Sequence, residues 1–216
     1  MNLKHYKTIL ATSHGKILLL GIVLVIFLSV FILTFYFIDS TFANKISAMV
    51  IANIAVGRVP SLSLGYASEL SHFWVIATNV YIEMIMVTLI YATFVFRYQN
   101  IVQMNYLDSF FKKIKKYKIK YTILFDRYGI LGLFVFVFIP FWMTGPIVGA
   151  IIGYLIGLRD VTIMITVFIA TIIAMIMWGL LLDELITFMN MFNSSVIWFI
   201  LVLGIVLFLA IKLYRR

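Results

Sequence analysis

Cysteine is absent from the sequence, and acidic residues are scarce, with eight among 216 residues. A chain without cysteine can form neither a disulfide nor a thiolate metal site. The three histidines, His5, His14 and His72, lie too far apart to form a metal-binding motif, and the sequence contains no nucleophile motif or phosphate-binding loop. We therefore expect no cofactor, no metal site and no enzymatic activity.

Charge of either sign is also scarce. Only 12% of the residues are charged, 64% are hydrophobic, and the mean hydropathy is +1.13, whereas soluble domains hold about 25% charged residues. The sequence therefore predicts an all-α integral membrane protein. A span needs roughly 20 apolar residues, and four stretches satisfy this length: 17–38, 70–96, 161–182 and 185–211. The first is longer than the apolar core of a signal peptide, so we expect it to be retained as a span.

The distribution of basic residues predicts the orientation. Fifteen of the 17 Lys and Arg residues fall before the first stretch, between residues 97 and 127, at Arg159, or in the C-terminal tail. Basic loops stay in the cytoplasm, so four spans with both termini cytoplasmic place all fifteen on one side of the inner (cytoplasmic) membrane. Residues 99–127 are then a cytoplasmic loop. Its segment Lys112–Lys120 is expected to contact anionic lipid headgroups, with no role for nucleic acid.

Two further apolar segments contain all three prolines, Pro60, Pro140 and Pro146. A broken helix at membrane depth must be buried in protein or line a cavity, because lipid satisfies no backbone hydrogen bond. The pattern predicts two re-entrant hairpins, at about 46–67 and 128–158. They divide a single membrane domain, residues 1–216, into halves 1–98 and 128–216 of opposite orientation. Such an inverted repeat is typical of transporters, although no residue-by-residue repeat is evident.

Glycines recur at every fourth position in the second hairpin, at Gly145, Gly149, Gly153 and Gly157. This spacing lines one helix face with small residues and predicts close packing of the hairpin. Residues that favour helix starts adjoin the prolines in both hairpins. We therefore expect a half-helix to begin at each break, with its positive dipole end facing the membrane centre and favouring an anion.

Ionisable groups inside a membrane mark a functional site or have a buried partner. Arg58 lies in the first break, and Glu83 shares one helix face with Asn79 and His72. We interpret Glu83 as a proton-coupling residue. The structural alternative is that a pair of Glu83 with Arg58 or Asn79 only holds the fold together. The expected substrate-binding residues are Arg58, Pro60, Ser61, Ser63, Asn79, Trp142, Thr144 and Gly145.

The stretch "DRYGILGLFVFVFIPFWMTGPIVGAIIGYLIGL", residues 126–158, resembles the second hairpin of the small multidrug export protein family. It has that family's YGxLGLF lead, its Ile-Pro pair and its return helix of small residues, while Trp142 and Met143 stand where the family has Pro-Gly. The likeness extends over roughly 46–182. It implies export of small drugs, and a more distant similarity to the DedA/VTT membrane proteins implies translocation of lipid or lipid-carrier phosphates.

The residues and the resemblance together predict a transporter for a small or lipid-linked anionic substrate, with proton exchange at Glu83. The first alternative is a lipid translocase or scramblase, which would need a lateral opening toward the bilayer. The second is a membrane assembly or structural factor, whose hairpin tips would be dry and interlocked. A homodimer is left open.

Overall fold

The computed structural model describes residues 12–98, 129–139 and 145–190. Every regular element within these ranges is a helix, in agreement with the predicted all-α class. The helices are α1 (Ser13–Ile38), α2 (Ser40–Ala55), α3 (Arg58–Ala67), α4 (His72–Tyr98), α5 (Gly129–Phe138), α6 (Gly145–Leu155) and α7 (Asp160–Asn190).

Three helices, α1, α4 and α7, are long and apolar enough to cross a membrane. They coincide with the first three predicted spans, but the predicted boundary between the third and fourth spans is wrong. The helix α7 continues unbroken through Asp183 and Glu184 to Asn190, because no Gly or Pro follows Leu182 to end it. The rest of the predicted fourth span, 191–211, lies outside the described residues, as does the basic loop 99–127.

The three long helices alternate in direction. The Tyr81 hydroxyl of α4 donates to the Leu24 carbonyl of α1, and Tyr91 near the end of α4 donates to Asp160 at the start of α7. His14 at the start of α1 also lies against Tyr91. We call this end of the molecule the His14 end. The opposite end, where α1 finishes and α4 begins, is the His72 end.

The helices α2 and α3 connect α1 to α4 and begin and finish at the His72 end. Asp39 fixes the corner after α1, since its carboxylate accepts a hydrogen bond from the Phe42 N–H at 3.0 Å. Phe42 then packs against Trp74 in the first turns of α4, with ring centroids 5.1 Å apart. At the other end of the pair, the ring of Tyr66 lies 5.5 Å from that of His72.

The break between α2 and α3 occurs at Gly57, and not at Pro60 as expected. Gly57 has φ +118, a conformation that favours glycine. Pro60 is exposed in the first turn of α3, where a missing N–H costs no helical hydrogen bond. Ser61 and Ser63 consequently lie inside α3 and are not caps. The Ser61 hydroxyl instead donates to the Met49 carbonyl at 2.8 Å, which joins α3 to α2.

The helices α5 and α6 form the second short pair, and the small residues of α6 face α5 and α7. A Cβ on Gly149 would lie 2.7 Å from Val137 Cγ2, and one on Gly153 would lie 3.1 Å from Ile163 Cγ1. Gly157 does not have the packing role that was expected for it. It follows the end of α6 with φ +86, and no described atom lies within 4 Å of the position of a Cβ. Gly157 instead adopts the left-handed conformation that ends the helix.

Among the described residues, α3 and α4 recur as α6 and α7 with an offset of 88 residues. The helices α4 and α7 begin at His72 and Asp160. Before each of them, the preceding short helix ends in the same pattern of hydrogen bonds, in which the N–H of Leu70 donates to Gly65 and that of Leu158 donates to Gly153. The two halves therefore share the positions of helix ends and of small residues. Few of the equivalent positions hold the same amino acid, so the repeat is hard to see in the sequence.

The two halves also exchange equivalent contacts. The tyrosine Tyr66 of α3 has its hydroxyl 2.8 Å from where a Cβ of Gly179 on α7 would lie. Its equivalent, Tyr154 of α6, packs against Tyr91 on α4, the equivalent of Gly179, with ring centroids 6.1 Å apart. The helices α3 and α6 thus each pack on the long helix of the other half. The first turns of α3 and α6 consequently lie next to each other.

Candidate functional site

A buried ion pair joins the start of α3 to the middle of α4. The Arg58 Nε donates to Glu83 Oε1 at 3.1 Å, and the two residues are 5% and 8% exposed. Gly57 sets the position of Arg58, because its positive φ lets α3 begin there with the Arg58 side chain buried. The structural alternative from the sequence, a Glu83–Arg58 pair, is therefore present.

The ion pair leaves much of its hydrogen-bonding capacity unused. Nη1 and Nη2 of Arg58 and Oε2 of Glu83 are buried, and none has a hydrogen-bond partner among the described residues. A guanidinium has five N–H donors, and buried polar atoms without partners are rare. A buried pair offsets its loss of hydration only when further hydrogen bonds complete it. The site can therefore accept a group that brings acceptor atoms.

A small cavity of about 10 Å³ lies beside the pair, roughly the room for one water centre. Both short helix pairs border it. It is lined by Asn53, Gly57, Arg58, Glu83, Met86, Val87, Pro146 and Ile147. In this conformation, only a group of the size of a water molecule fits beside the guanidinium.

Gly145 brings the second helix pair against Arg58. A Cβ at this position would lie 3.3 Å from Arg58 Nη2, tighter than ordinary van der Waals contact. The guanidinium therefore approaches the first turn of α6, where backbone N–H groups have no helical partner. The start of α3 supplies a second such turn beside the cavity. The two helix dipoles and the guanidinium all present positive charge to this space.

Two asparagines form a polar layer next to the pair. The Asn53 Nδ2 of α2 donates to Asn79 Oδ1 at 2.7 Å, and Asn79 Nδ2 donates to the Val75 carbonyl at 2.8 Å. Asn79 was an expected site residue, whereas Asn53 was missed. The signal for Asn53 was available, because it is a lone amide in an apolar run four residues before the break.

The other expected residues are distributed as follows. Pro60 is exposed, Ser61 bonds within its helix pair, and Ser63 is half-buried; none of them lines the cavity. Trp142 and Thr144, together with Pro140, lie outside the described residues. His72 shares a helix face with Glu83 but lies at the His72 end, 3.8 Å from Asp183 Oδ2, and so does not join the central cluster.

A much larger cleft of about 840 Å³ lies between α1, α4 and α7. Its lining is apolar except for the hydroxyls of Tyr81 and Thr88, which already donate to backbone carbonyls. Val87 separates the cleft from the small polar cavity, since it lines both. The molecule therefore has an apolar space next to its buried charged site.

These features define a helical membrane protein with a buried charged pair where two broken helix pairs meet. A family model described as "Putative small multi-drug export protein" matches residues 58–177, which is more than half of the chain. The chain belongs to this family, and the resemblance noted from the second hairpin is confirmed. The match begins at Arg58 and includes Glu83 and α6. No curated protein and no solved structure matches the chain.

Proposed function

We propose that the chain is a membrane transporter whose substrate carries an anionic group that binds Arg58. The observation that carries the proposal is a buried guanidinium with two nitrogens that no described residue bonds. Such unused donors are unfavourable away from water, and a carboxylate or phosphate would use them in a charge-assisted, bidentate contact. The family description, an export protein, supports transport in general.

An anion fits this site better than a cation does. A cationic drug would approach a guanidinium and the positive ends of two helices. Glu83, the carboxylate among the described residues that line the cavity, is already paired with Arg58. Like charges in a low-dielectric site repel strongly. We therefore assign the site to an anionic substrate, although the family description names drugs in general terms.

We further propose that Glu83 couples transport to protons by competing with the anion. The ionised carboxylate neutralises Arg58 when no substrate is bound. When Glu83 takes up a proton, the charge of Arg58 is left for the substrate, so the site is neutral in both states. Neutrality at each step is what burial at membrane depth demands. One proton and one anionic group then bind and leave together.

In the membrane, we propose that α2–α3 and α5–α6 are the two predicted re-entrant hairpins of an inverted repeat. The first pair begins and finishes at the His72 end, which supports this arrangement. We propose that the remaining part of the predicted fourth span, 191–211, follows α7 as a separate span, with both termini in the cytoplasm of the inner membrane. Lys112–Lys120 would then lie against anionic headgroups, and a homodimer stays a prediction.

The test uses purified protein in liposomes with an imposed pH gradient. Uptake of phosphate, of small carboxylates and of a cationic dye is measured for the unmodified chain and for Glu83→Gln. We expect the gradient to drive uptake of an anion, and Glu83→Gln to abolish this dependence while the protein still inserts. Thr171→Val is the matched control, because Thr171 occupies the equivalent position in the second half. Unimpaired proton-linked uptake by Glu83→Gln, or uptake of the dye alone, would contradict the proposal.

A second candidate is a translocase for a lipid with a phosphate headgroup, and the cleft between α1, α4 and α7 favours it. Its volume, about 840 Å³, lies within the roughly 300–1,000 Å³ of small-molecule sites. An acyl chain in the cleft would lie next to the wall at Val87, with its headgroup toward Arg58. The cleft supports this candidate, because it could serve as the lateral opening that a lipid translocase requires.

A substitution that fills the cleft separates the two candidates. Ala77→Phe adds an aromatic ring to the cleft without touching the cavity at Arg58. For a lipid translocase, we expect loss of headgroup exchange between leaflets, measured with a fluorescent phospholipid in liposomes. For a transporter of small anions, we expect unchanged anion uptake. Ile51→Phe, on an exposed surface of α2, is the control for added bulk.

A further inference from the structure

A cluster of polar and aromatic side chains lies at the His14 end, outside the central site. The carboxylate of Asp160 is 3.1 Å from His14 Nδ1 and accepts a hydrogen bond from the Tyr91 hydroxyl at 2.6 Å. The ring of Tyr154 packs edge-on against His14, with centroids 5.9 Å apart. This His14 cluster joins one residue from each of α1, α4, α6 and α7, and it has no role in the anion site.

A related cluster lies at the His72 end. It consists of Tyr66, His72 and Asp183, in which the tyrosine ring is 5.5 Å from the histidine ring and His72 Nε2 is 3.8 Å from Asp183 Oδ2. This His72 cluster uses equivalent positions of the repeat, because Tyr66 corresponds to Tyr154 and His72 corresponds to Asp160. Each cluster contains a His–Asp contact between α7 and another long helix.

The two clusters lie on opposite sides of the charged site. Along α4, His72 precedes Glu83 by 11 residues and Tyr91 follows it by eight, which corresponds to about 16 Å and about 12 Å of helix. Their total separation of about 28 Å is close to the thickness of a hydrocarbon core. Relative to Glu83, the two clusters therefore lie toward opposite faces of the membrane.

The clusters differ in how tightly they are closed. The His14 and Asp160 side chains are 15% and 14% exposed; the Asp160 carboxylate lies 3.1 Å from His14 Nδ1 and accepts a hydrogen bond from the Tyr91 hydroxyl. The His72 and Asp183 side chains are 57% and 34% exposed, and their 3.8 Å contact is longer than a hydrogen bond. In the described conformation, the side chains are thus in closer contact at the His14 end and more exposed at the His72 end.

We propose that the His14 and His72 clusters are the two gates of the transport path, and that tightening one loosens the other. The exchange of contacts between the halves supplies the coupling, since α3 and α6 are each packed on the long helix of the opposite half. A rocking of one half against the other would change the two ends in opposite senses. The proposal requires only that the chain alternates between two states, whatever its cargo is.

The absence of cysteine allows distances at the two ends to be measured with spin labels on introduced cysteines. Ser13→Cys with Val161→Cys reports the His14 end, and Phe73→Cys with Thr187→Cys reports the His72 end; all four positions are exposed. Distance distributions are recorded for the full chain in lipid nanodiscs without substrate.

Asp160→Asn should open the His14 end. It removes the charge that His14 and Tyr91 share, so we expect the ratio of long to short distances there to rise on the order of tenfold, while the distance at the His72 end shortens. Tyr91→Phe removes one hydroxyl, keeps the ring and should shift both distances in the same directions by a smaller factor. Asp183→Asn, the matched change at the other gate, should lower the population that is open at the His14 end.

Three results would overturn the gate proposal. They are an unchanged His14-end distance in both Asp160→Asn and Tyr91→Phe, a lengthening of both ends together, and the same direction of change for Asp160→Asn and Asp183→Asn. Failure of the anion proposal is distinguishable, because the distances are measured without substrate. If the two distances change in opposite directions but no anion is taken up, the gate proposal stands and the proposal of an anionic substrate fails.

Discussion

The two halves of the molecule share a scaffold and differ in chemistry. Both place a short helix after a break, end it in a left-handed turn, and begin a long helix 88 residues apart. Yet the charged side chains of the site, Arg58 and Glu83, both come from the first half. Glu83 corresponds to Thr171, and Asn79 corresponds to Val167. The repeat therefore supplies a frame that brings the starts of α3 and α6 together, and the first half supplies the charged side chains.

The largest expected effect comes from removing one side of the ion pair. Glu83→Leu leaves a buried guanidinium without its counter-charge and should lower the free energy of unfolding by about 3–5 kcal/mol. Thr171→Val, at the equivalent position, should cost less than about 1 kcal/mol, because the Thr171 hydroxyl has no partner among the described residues. Unfolding in detergent micelles with increasing SDS measures both changes.

A double substitution sharpens this first comparison. Arg58→Met combined with Glu83→Leu removes both charges and should recover most of the loss, since apolar replacements of a buried pair are often neutral. A double variant as unstable as Glu83→Leu would show that packing, and not the unpaired charge, explains the loss.

The next effect concerns the packing inside the two short helix pairs. Gly149 corresponds to Ser61, and each faces the preceding helix. Gly149→Ala places a Cβ 2.7 Å from a branched valine methyl, and such overpacking should cost about 1–3 kcal/mol. Ser61→Ala loses one hydrogen bond to Met49 and should cost about 1 kcal/mol. Equal tolerance of both changes, by the same unfolding measurement, would contradict the close approach of α5 and α6.

The asparagine layer should affect transport more than stability. Asn79→Val introduces the residue of the second half at this position and leaves Asn53 without its partner, at a cost of about 1–2 kcal/mol. Adding Asn53→Leu removes the remaining unpaired amide and should restore stability, while anion uptake stays reduced. Full uptake by the double variant would show that the layer serves only the fold.

The smallest effect comes from exchanging the residues that stop the short helices. Glu69 has φ +59, whereas its equivalent Gly157 has φ +86. Glu69→Gly should stabilise the protein by up to about 1 kcal/mol, and Gly157→Ala should destabilise it by about 1 kcal/mol, because glycine adopts this conformation without a Cβ penalty. Shifts of the same sign for the two variants would argue against equivalent helix ends.

The sequence predicted features that depend on composition and on short spacing. Hydropathy predicted the first three spans, since length and apolar content alone define them. Glycine spacing predicted the packing face of α6 at Gly149 and Gly153. The Arg58–Glu83 pair could also be anticipated, because two opposite charges in apolar segments are each too costly to bury alone.

The features that were missed depend on long-range contacts. The break falls at Gly57 because a left-handed turn places Arg58 toward Glu83, and the proline nearby is compatible with a first helical turn. The His14–Asp160 contact joins residues far apart in sequence. The unbroken α7 is a separate case, because Asp183 and Glu184 were interpreted as a span boundary although neither residue breaks a helix. Hydropathy does not predict which residues of two helices contact each other. The 88-residue offset was also missed, because the two halves share mainly the positions of their helix ends.

The central claim is that Arg58 binds an anionic group when Glu83 no longer competes for it. Calorimetric titration of the purified protein with phosphate and with small carboxylates, over a range of pH, tests it most directly. We predict that binding to the unmodified chain weakens as the pH rises, because the ionised Glu83 reclaims Arg58. Glu83→Gln should bind with little dependence on pH, and Arg58→Met combined with Glu83→Gln should not bind. Binding that persists in this double variant, or that strengthens as the pH rises, would contradict the account.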